Sequence, residues 1–409
     1  MSFDQLLHHP DLWRYASIPV VAAIVGWATN WVAIEMTFWP LEWKGLRPIF
    51  GWQGIIPSKA EKMAAIFVDK TMIRLGTLSE VFQRMDPEVI AEHVVQALEP
   101  RVDELTDEVM RRSNVVLWEN LPEMVRNTVY QRVREELPQL VRDLLADVDR
   151  QVEELVDMKE LVVGRLVEDR NLLNRLFLEC GDAEFRFIVR SGFWFGGLFG
   201  LVQLAVWVFF PAAWVLPAFG LFVGLATNWI ALNVIFRPLE PKKLGPWKVQ
   251  GLFLRRQAEV ADVWCTIVTR DVLTLRELVT AMLTGRRSDR TRSLIRKHIK
   301  RVVDRSIGPL RGLAQAAVGL RGFAGLKDTV GDAAVEVAIE PFRDRAFVLG
   351  RAEAVAEELR HRMTQLPPQE FQDLLRPCFQ EDELKLVLLG GGLGLLAGLA
   401  QLQFVFGGW

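Results

Sequence analysis

Apolar and polar residues are segregated along this chain in long blocks. Four apolar blocks, Ala16–Phe38, Gly192–Phe210, Val215–Phe236 and Leu386–Phe406, are long enough to predict transmembrane helices, since a bilayer core of about 30 Å takes about 20 helical residues. The last three contain no Asp, Glu, Lys or Arg, and the first contains only Glu35. Between the blocks, apolar residues recur at three- and four-residue steps among charges. Leu137, Leu140, Val141, Leu144, Leu145, Val148 and Val152 are one such run, which predicts amphipathic helices. Strand-like alternation is scarce, and prolines such as Pro87, Pro100, Pro122 and Pro309 break the pattern. The expected fold is all-α: an integral membrane protein with four transmembrane helices and two large helical lobes, 58–185 and 255–383.

The blocks repeat. Pro19–Glu42 and Pro217–Glu240 are identical at 12 of 24 positions at an offset of 198 residues. The same offset pairs Gly192, Gly196, Gly200 and Gln203 with Gly390, Gly394, Gly398 and Gln401. Thr77-Leu78 and Glu80 echo Thr274-Leu275 and Glu277 after a one-residue slip. Residues 1–211 and 212–409 therefore read as two tandem copies of span, lobe, span. With two spans each, the copies share one orientation. Both lobes then lie on one side and both termini on the other. Lys44, Arg47, Arg186, Arg190, Arg237, Lys242, Arg376 and other cations flank the spans on the lobe side, against Arg14 alone on the other. The lobes are expected to be cytoplasmic and the termini periplasmic or extracellular. The N-terminus lacks the basic start of a secretory signal, so the first span is expected to be retained.

Composition sharpens this. Half of the chain is hydrophobic and 24% is charged, with a net charge of −2. That balance gives no whole-chain case for nucleic acid. Cys180, Cys265 and Cys378 have no metal or redox spacing and suit a reducing compartment. His8, His9, His93, His298 and His361 are scattered, and no phosphate-binding loop is present. No enzyme activity, metal or cofactor is expected.

The sequence Thr-Asn-Trp stands inside the first and third spans. On a helix, Ala22, Gly26, Asn30, Ala33 and Thr37 share one face, as do Gly220, Gly224, Asn228, Ala231 and Ile235. Small residues let helix backbones approach, and an amide in lipid needs a partner. Thr29, Asn30, Thr227 and Asn228 are candidates for helix packing or for lining a pathway, with Asn30 and Asn228 expected to bond across the pseudo-two-fold axis. Gly26, Gly224, and the ladders ending in Gly196, Gly200, Gly394 and Gly398, each followed by Gln203 or Gln401, read as packing seams. Glu35 reads as a snorkelling carboxylate or proton site, and Arg237 as a headgroup contact.

One lobe stretch is basic: Arg286, Arg287, Arg290, Arg292, Arg296, Lys297, Lys300, Arg301 and Arg305 stand against Asp289 and Asp304. Its equivalent, 88–107, is acidic: Glu88, Glu92, Glu99, Asp103, Glu104 and Asp107 against Arg101. Three readings stay open: solvated faces, docking of lobes or subunits through them, or an anionic-partner patch for lipid headgroups.

The pattern G-x-x-T-N-W-x-A-I-x-M-x-F-x-P from Gly26, and Glu-Phe-Arg-Phe-Ile from Glu184 before a glycine-rich span ending in Gln203, resemble the hallmarks of a bacterial membrane family, domain of unknown function 445. The resemblance implies a bacterial inner-membrane protein with helical cytoplasmic regions, and no particular activity. That family often has a basic residue where Glu35 stands and an Arg where Trp39 stands; the second copy keeps Arg237.

The leading functional expectation is a non-enzymatic membrane scaffold acting through long cytoplasmic arms. Its expected partners are membrane lipids, further copies of itself in a homo-oligomer, and a cytoplasmic protein. The alternative is transport of a lipid or small solute through an oligomeric assembly.

Overall fold

The structure is a computed structural model and describes residues 12–46, 50–69, 75–244, 247–307, 325, 328–373 and 383–407. Arg47, Pro309, Arg376 and Cys378 lie outside the described residues. The described residues are all-α apart from two short antiparallel ribbons. It divides into two compact units. One comprises residues 1–71, 166–264 and 362–409, and the other 72–165 and 265–361. This division cuts across the expected copies: helical segments from both halves of the sequence form a single second unit.

Among the described residues, four helices in the first unit are long and apolar enough to cross a membrane. They are α1 (Leu12–Phe38), α10 (Asp182–Phe209), α11 (Val215–Phe236) and α17 (Glu383–Phe404). Their outward faces carry Val20, Ile24, Trp31, Trp194, Leu198, Phe222, Trp229 and Leu396, all exposed. Their inward faces carry glycine, alanine and threonine. Bulk outside and small residues inside is the arrangement expected when lipid, not water, surrounds the helices. Helix α10 starts ten residues before the apolar block that predicts it. The stretch Asp182–Ser191 is charged, yet its backbone continues the same hydrogen-bond ladder, so apolarity marks the start of the span and not of the helix.

After α1 and α11 the chain turns into ribbons, β1–β2 (Lys44–Leu46, Phe50–Trp52) and β3–β4 (Lys242–Leu244, Trp247–Val249). These strands were not anticipated. Each ribbon base is tied by a glutamine: Gln53 donates to the Leu41 carbonyl at 2.7 Å, and Gln250 to that of Leu239 at 3.1 Å. Short helices α2 (Ile55–Ser58), α3 (Ala60–Phe67) and α9 (Arg170–Cys180) pack beside the first pair of spans, and α12 (Leu252–Arg255) beside the second.

The second unit is a bundle of amphipathic helices. From the first half come α4 (Leu78–Arg84), α5 (Pro87–Leu98), α6 (Val102–Glu119) and the 33-residue α7 (Glu123–Leu155). The second half supplies α14 (Leu275–Thr284), α15 (Ser288–Ile307), a helix over 328–337 and most of α16 (Arg345–Gln365). Helices α8 (Met158–Glu168) and α13 (Gln257–Ile267) complete the order. The Thr-x-x-Glu echoes have a local cause. Thr77 and Thr274 are N-caps whose hydroxyls accept from the backbone N–H of Glu80 and Glu277, at 3.2 and 3.1 Å. Such caps are worth about 0.5–2 kcal/mol each. Helices α6 and α7 are joined by Asp107, which accepts from Trp118 Nε1 at 2.9 Å and from the Tyr130 hydroxyl.

Candidate functional site

Two arrangements hold the candidate residues: close-packed seams in the first unit, and an apolar cavity in the second. Each seam joins neighbouring spans, α1 with α10 and α11 with α17. A β-carbon added at Gly26 would lie 2.3 Å from the Gly192 carbonyl oxygen; one at Gly196 would lie 2.4 Å from that of Ala22. In the other seam, one at Gly224 would lie 2.1 Å from the Gly390 carbonyl oxygen, and one at Gly394 would lie 2.1 Å from that of Gly220. Gly200 and Gly398 meet Pro19 and Pro217 in the same way. Only glycine fits where two backbones touch.

The asparagines seal these seams. Asn30 is fully buried, and its Nδ2 donates to the Ile188 carbonyl of α10 at 2.7 Å. Asn228 Nδ2 lies where a β-carbon on Gly390 would be, 2.2 Å away. Asn30 therefore does not bond to Asn228 across a symmetry axis. Each asparagine turns to the glycine ladder of the helix beside it, because that ladder exposes backbone carbonyls an amide can reach. Thr29 and Thr227 donate to carbonyls of their own helices, those of Gly26 at 3.2 Å and Val223 at 2.8 Å. Gln203 and Gln401 are buried further along α10 and α17. Glu35 and Arg237 are exposed at the ribbon ends of α1 and α11.

Sequence reasoning missed two buried polar contacts. Asn174 of α9 donates to the Phe38 carbonyl at 2.6 Å, where α1 ends. Glu184 of α10, almost fully buried, accepts from Arg256 Nη1 at 2.6 Å. Arg256 also binds Glu259, and these carboxylates hold its guanidinium well above its ordinary value. The Glu-Phe-Arg-Phe-Ile motif was the available signal for Glu184.

The basic stretch is α15, and its partners are not the acidic residues 88–107. It lies along α7. Arg305 meets Glu136 at 3.4 Å, His298 meets Asp147 at 2.8 Å, Arg290 meets Glu154 at 3.4 Å and Arg287 meets Asp157 at 3.6 Å. Arg286 reaches Glu160, Arg296 reaches Asp332 and Lys300 reaches Asp328. Arg292 donates to the Leu283 carbonyl, while Lys297 and Arg301 are exposed. α15 packs antiparallel to α7, so successive residues of α15 meet its carboxylates in reverse order. The hydrogen bond from His298 holds Asp147 below its ordinary value.

Between these helices lies a cavity of about 300 Å³. Its walls come from α4, α5, α6, α7, α14, α15 and the 328–337 helix, with Val94, Val109, Leu140, Leu144, Ile299 and Val337 among them. Among the described residues, Thr106 and Thr291 are the only polar side chains in the lining. The walls are mostly branched aliphatic side chains, so the space between the helices is apolar. Among the described residues, no three His, Cys, Asp or Glu side chains are grouped to hold a metal ion.

Comparison with known proteins gives two similar chains. One, described as "UPF0754 membrane protein" from Synechococcus sp. (strain JA-3-3Ab), is 26% identical over 218 residues, 46% of this chain and 53% of that protein. Another of the same description, from Microcystis aeruginosa (strain NIES-843 / IAM M-2473), is 36% identical over 74 residues, 18% of each chain. The chain thus spans about half the length of the first of these relatives and less of the second. No family model matches it, so the likeness to domain of unknown function 445 stays a resemblance. No solved structure matches it. The chain is therefore similar to uncharacterised membrane proteins of bacteria, and its four apolar helices agree with that description.

Proposed function

We propose that this chain is a non-catalytic membrane protein whose helical second unit holds a hydrocarbon chain of a lipid. The observation that carries this is the cavity of about 300 Å³ with its aliphatic walls. That volume is at the lower end of ligand sites, about 300–1,000 Å³. Water is a poor filler because it needs two to four polar partners. Each buried methylene of an occupant instead gains about 0.8 kcal/mol. A chain with four membrane-crossing helices resides among the molecules that carry such groups.

This reading takes the transport alternative further than the scaffold. A scaffold gripping its partner through the basic helix would have few cations left, since most of α15 is engaged by carboxylates of the same chain. The basic bias around the span ends supports placement in the inner membrane with the helical unit in the cytoplasm. The matching seam geometries and the 12 identities in 24 support tandem duplication.

The test is retention of lipid by full-length protein purified in mild detergent and read by native mass spectrometry. Wild type is expected to keep a tightly held acyl lipid. Leu144→Trp, which fills the cavity, is expected to lose it while keeping the wild-type melting temperature. Equal retention by both would refute the reading.

A further inference from the structure

Arg126 stands apart from arginines near it. Arg112 meets Glu108 and Arg134 meets Asp103, each at 2.7 Å. Arg126 is half-buried and bonds to none of the described residues; its Nε is enclosed, while its Nη nitrogens stay accessible. A guanidinium carries five N–H donors, and partly buried donors normally find an acceptor. The position of Arg126 is set by α7. The cavity face of that helix runs through Val148, Leu144, Leu140, Leu137, Val133 and Val129, about 28 Å at 1.5 Å per residue. Arg126 stands three residues before Val129, on the same face and one turn beyond the last aliphatic side chain. There the cavity meets polar groups. Asp107, next to the lining residue Thr106, accepts from Trp118 Nε1 at 2.9 Å and from the Tyr130 hydroxyl, and it meets Arg111 at 3.8 Å. Burial opposes its charge, but those two bonds and the charges of Arg111 and Arg126 hold its carboxyl below the ordinary value. Arg126 is thus close enough to act on Asp107, whose oxygens are engaged by other donors.

We propose that Arg126 holds the anionic end of the occupant, a carboxylate or a phosphate, while the hydrocarbon tail runs along α7 towards Val148. Both anions accept two parallel N–H bonds from one guanidinium. Beyond Val148, Arg287 and Arg290 already meet Asp157 and Glu154, so that end does not compete for the anion. Burial of the tail supplies affinity and Arg126 supplies direction. This inference rests on reading the cavity as a hydrocarbon site.

The experiment uses delipidated full-length protein in a non-ionic amphipol and measures binding of stearate, octadecyl phosphate and octadecanol, which share one tail length. Arg126→Gln is expected to weaken the two anions about ten- to hundredfold, the worth of a hydrogen bond to a charged group. Octadecanol binding is expected to be unchanged. Arg126→Lys, which keeps the charge without the paired geometry, is expected to restore part of the anion binding. Loss on stearate alone assigns a fatty-acid carboxylate, loss on octadecyl phosphate alone a phosphate headgroup, and loss on both a site that takes either anion. If Arg126→Gln binds all three ligands as wild type does, or weakens all three equally, the inference fails and the hydrocarbon site stands. If none of them binds wild type, the hydrocarbon site itself fails and the inference with it. Arg126 bonds to none of the described residues, so both variants are expected to keep the wild-type unfolding midpoint, which excludes misfolding as the cause of a loss.

Discussion

The two units bury apolar helices by opposite means. In the first, α1 and α10 meet through Gly26, Gly192 and Gly196, and a single β-carbon at Gly26 would strike a backbone oxygen at 2.3 Å. In the second, helices meet through valine, leucine and isoleucine and leave about 300 Å³ between them. The size of the facing side chains decides the outcome. Glycine lets backbones touch and leaves no room for a guest, whereas branched side chains hold helix axes about 8–10 Å apart. Rigid contact and free volume are thus assigned to different parts of one chain.

The contrast is easiest to break at the seam. Gly26→Leu forces four heavy atoms into a backbone contact, and over-packing of this kind costs about 3 kcal/mol or more. Thermal unfolding in detergent is expected to show it as a large drop in midpoint; a midpoint within a degree of wild type would mean the seam is loose. Next in size is Glu184→Leu, which leaves Arg256 without its buried partner. Breaking such pairs typically costs about 3–5 kcal/mol. Arg256 keeps Glu259 and is partly exposed, so about 2 kcal/mol is expected in the same assay.

The second unit offers a pH test. Burial and the bond to Asp107 push the Tyr130 phenol up from 10.0 to about 12. The folded state therefore holds this proton more tightly than the unfolded state. The resulting stabilisation is complete below pH 10 and is lost as pH rises towards 12. The chain has two tyrosines. In a Tyr15→Phe background, absorbance at 295 nm is expected to titrate near 12, and Asp107→Asn to bring it down. The smallest effect is expected at Gly164 inside α8, where an added β-carbon meets nothing within 4 Å. Gly164→Ala is expected to stabilise by about 0.5–1 kcal/mol, because glycine is unfavourable in an open helix interior. Destabilisation there would reveal a contact that the seam comparison misses.

The four spans were legible because lipid demands length and apolarity together, and local composition records both. Thr77 and Thr274 were legible as an echo, since a cap depends on neighbours three residues away. The partner of Asn30 was not. Helical periodicity tells which face the amide occupies but not which helix that face meets, and Ile188 is 158 residues away. The partners of α15 were hidden for a related reason: charge shows that a face needs counter-charges, while the antiparallel run along α7 decides which ones. The aliphatic face Leu137–Val148 was read from its spacing, and it is one wall of the cavity. The space itself depends on walls brought from elsewhere in the chain, which no local window contains.

The interleaving of the two units has a consequence for biosynthesis. Helix α1 leaves the ribosome long before α10, whose Ile188 carbonyl satisfies the Asn30 amide. At about 5–20 residues per second, 158 residues take roughly 8–32 s to translate. For that interval the nascent first helix carries an unmet amide and an open glycine groove. The insertion machinery, or a temporary helix neighbour, has to shelter both until the matching strand of sequence arrives.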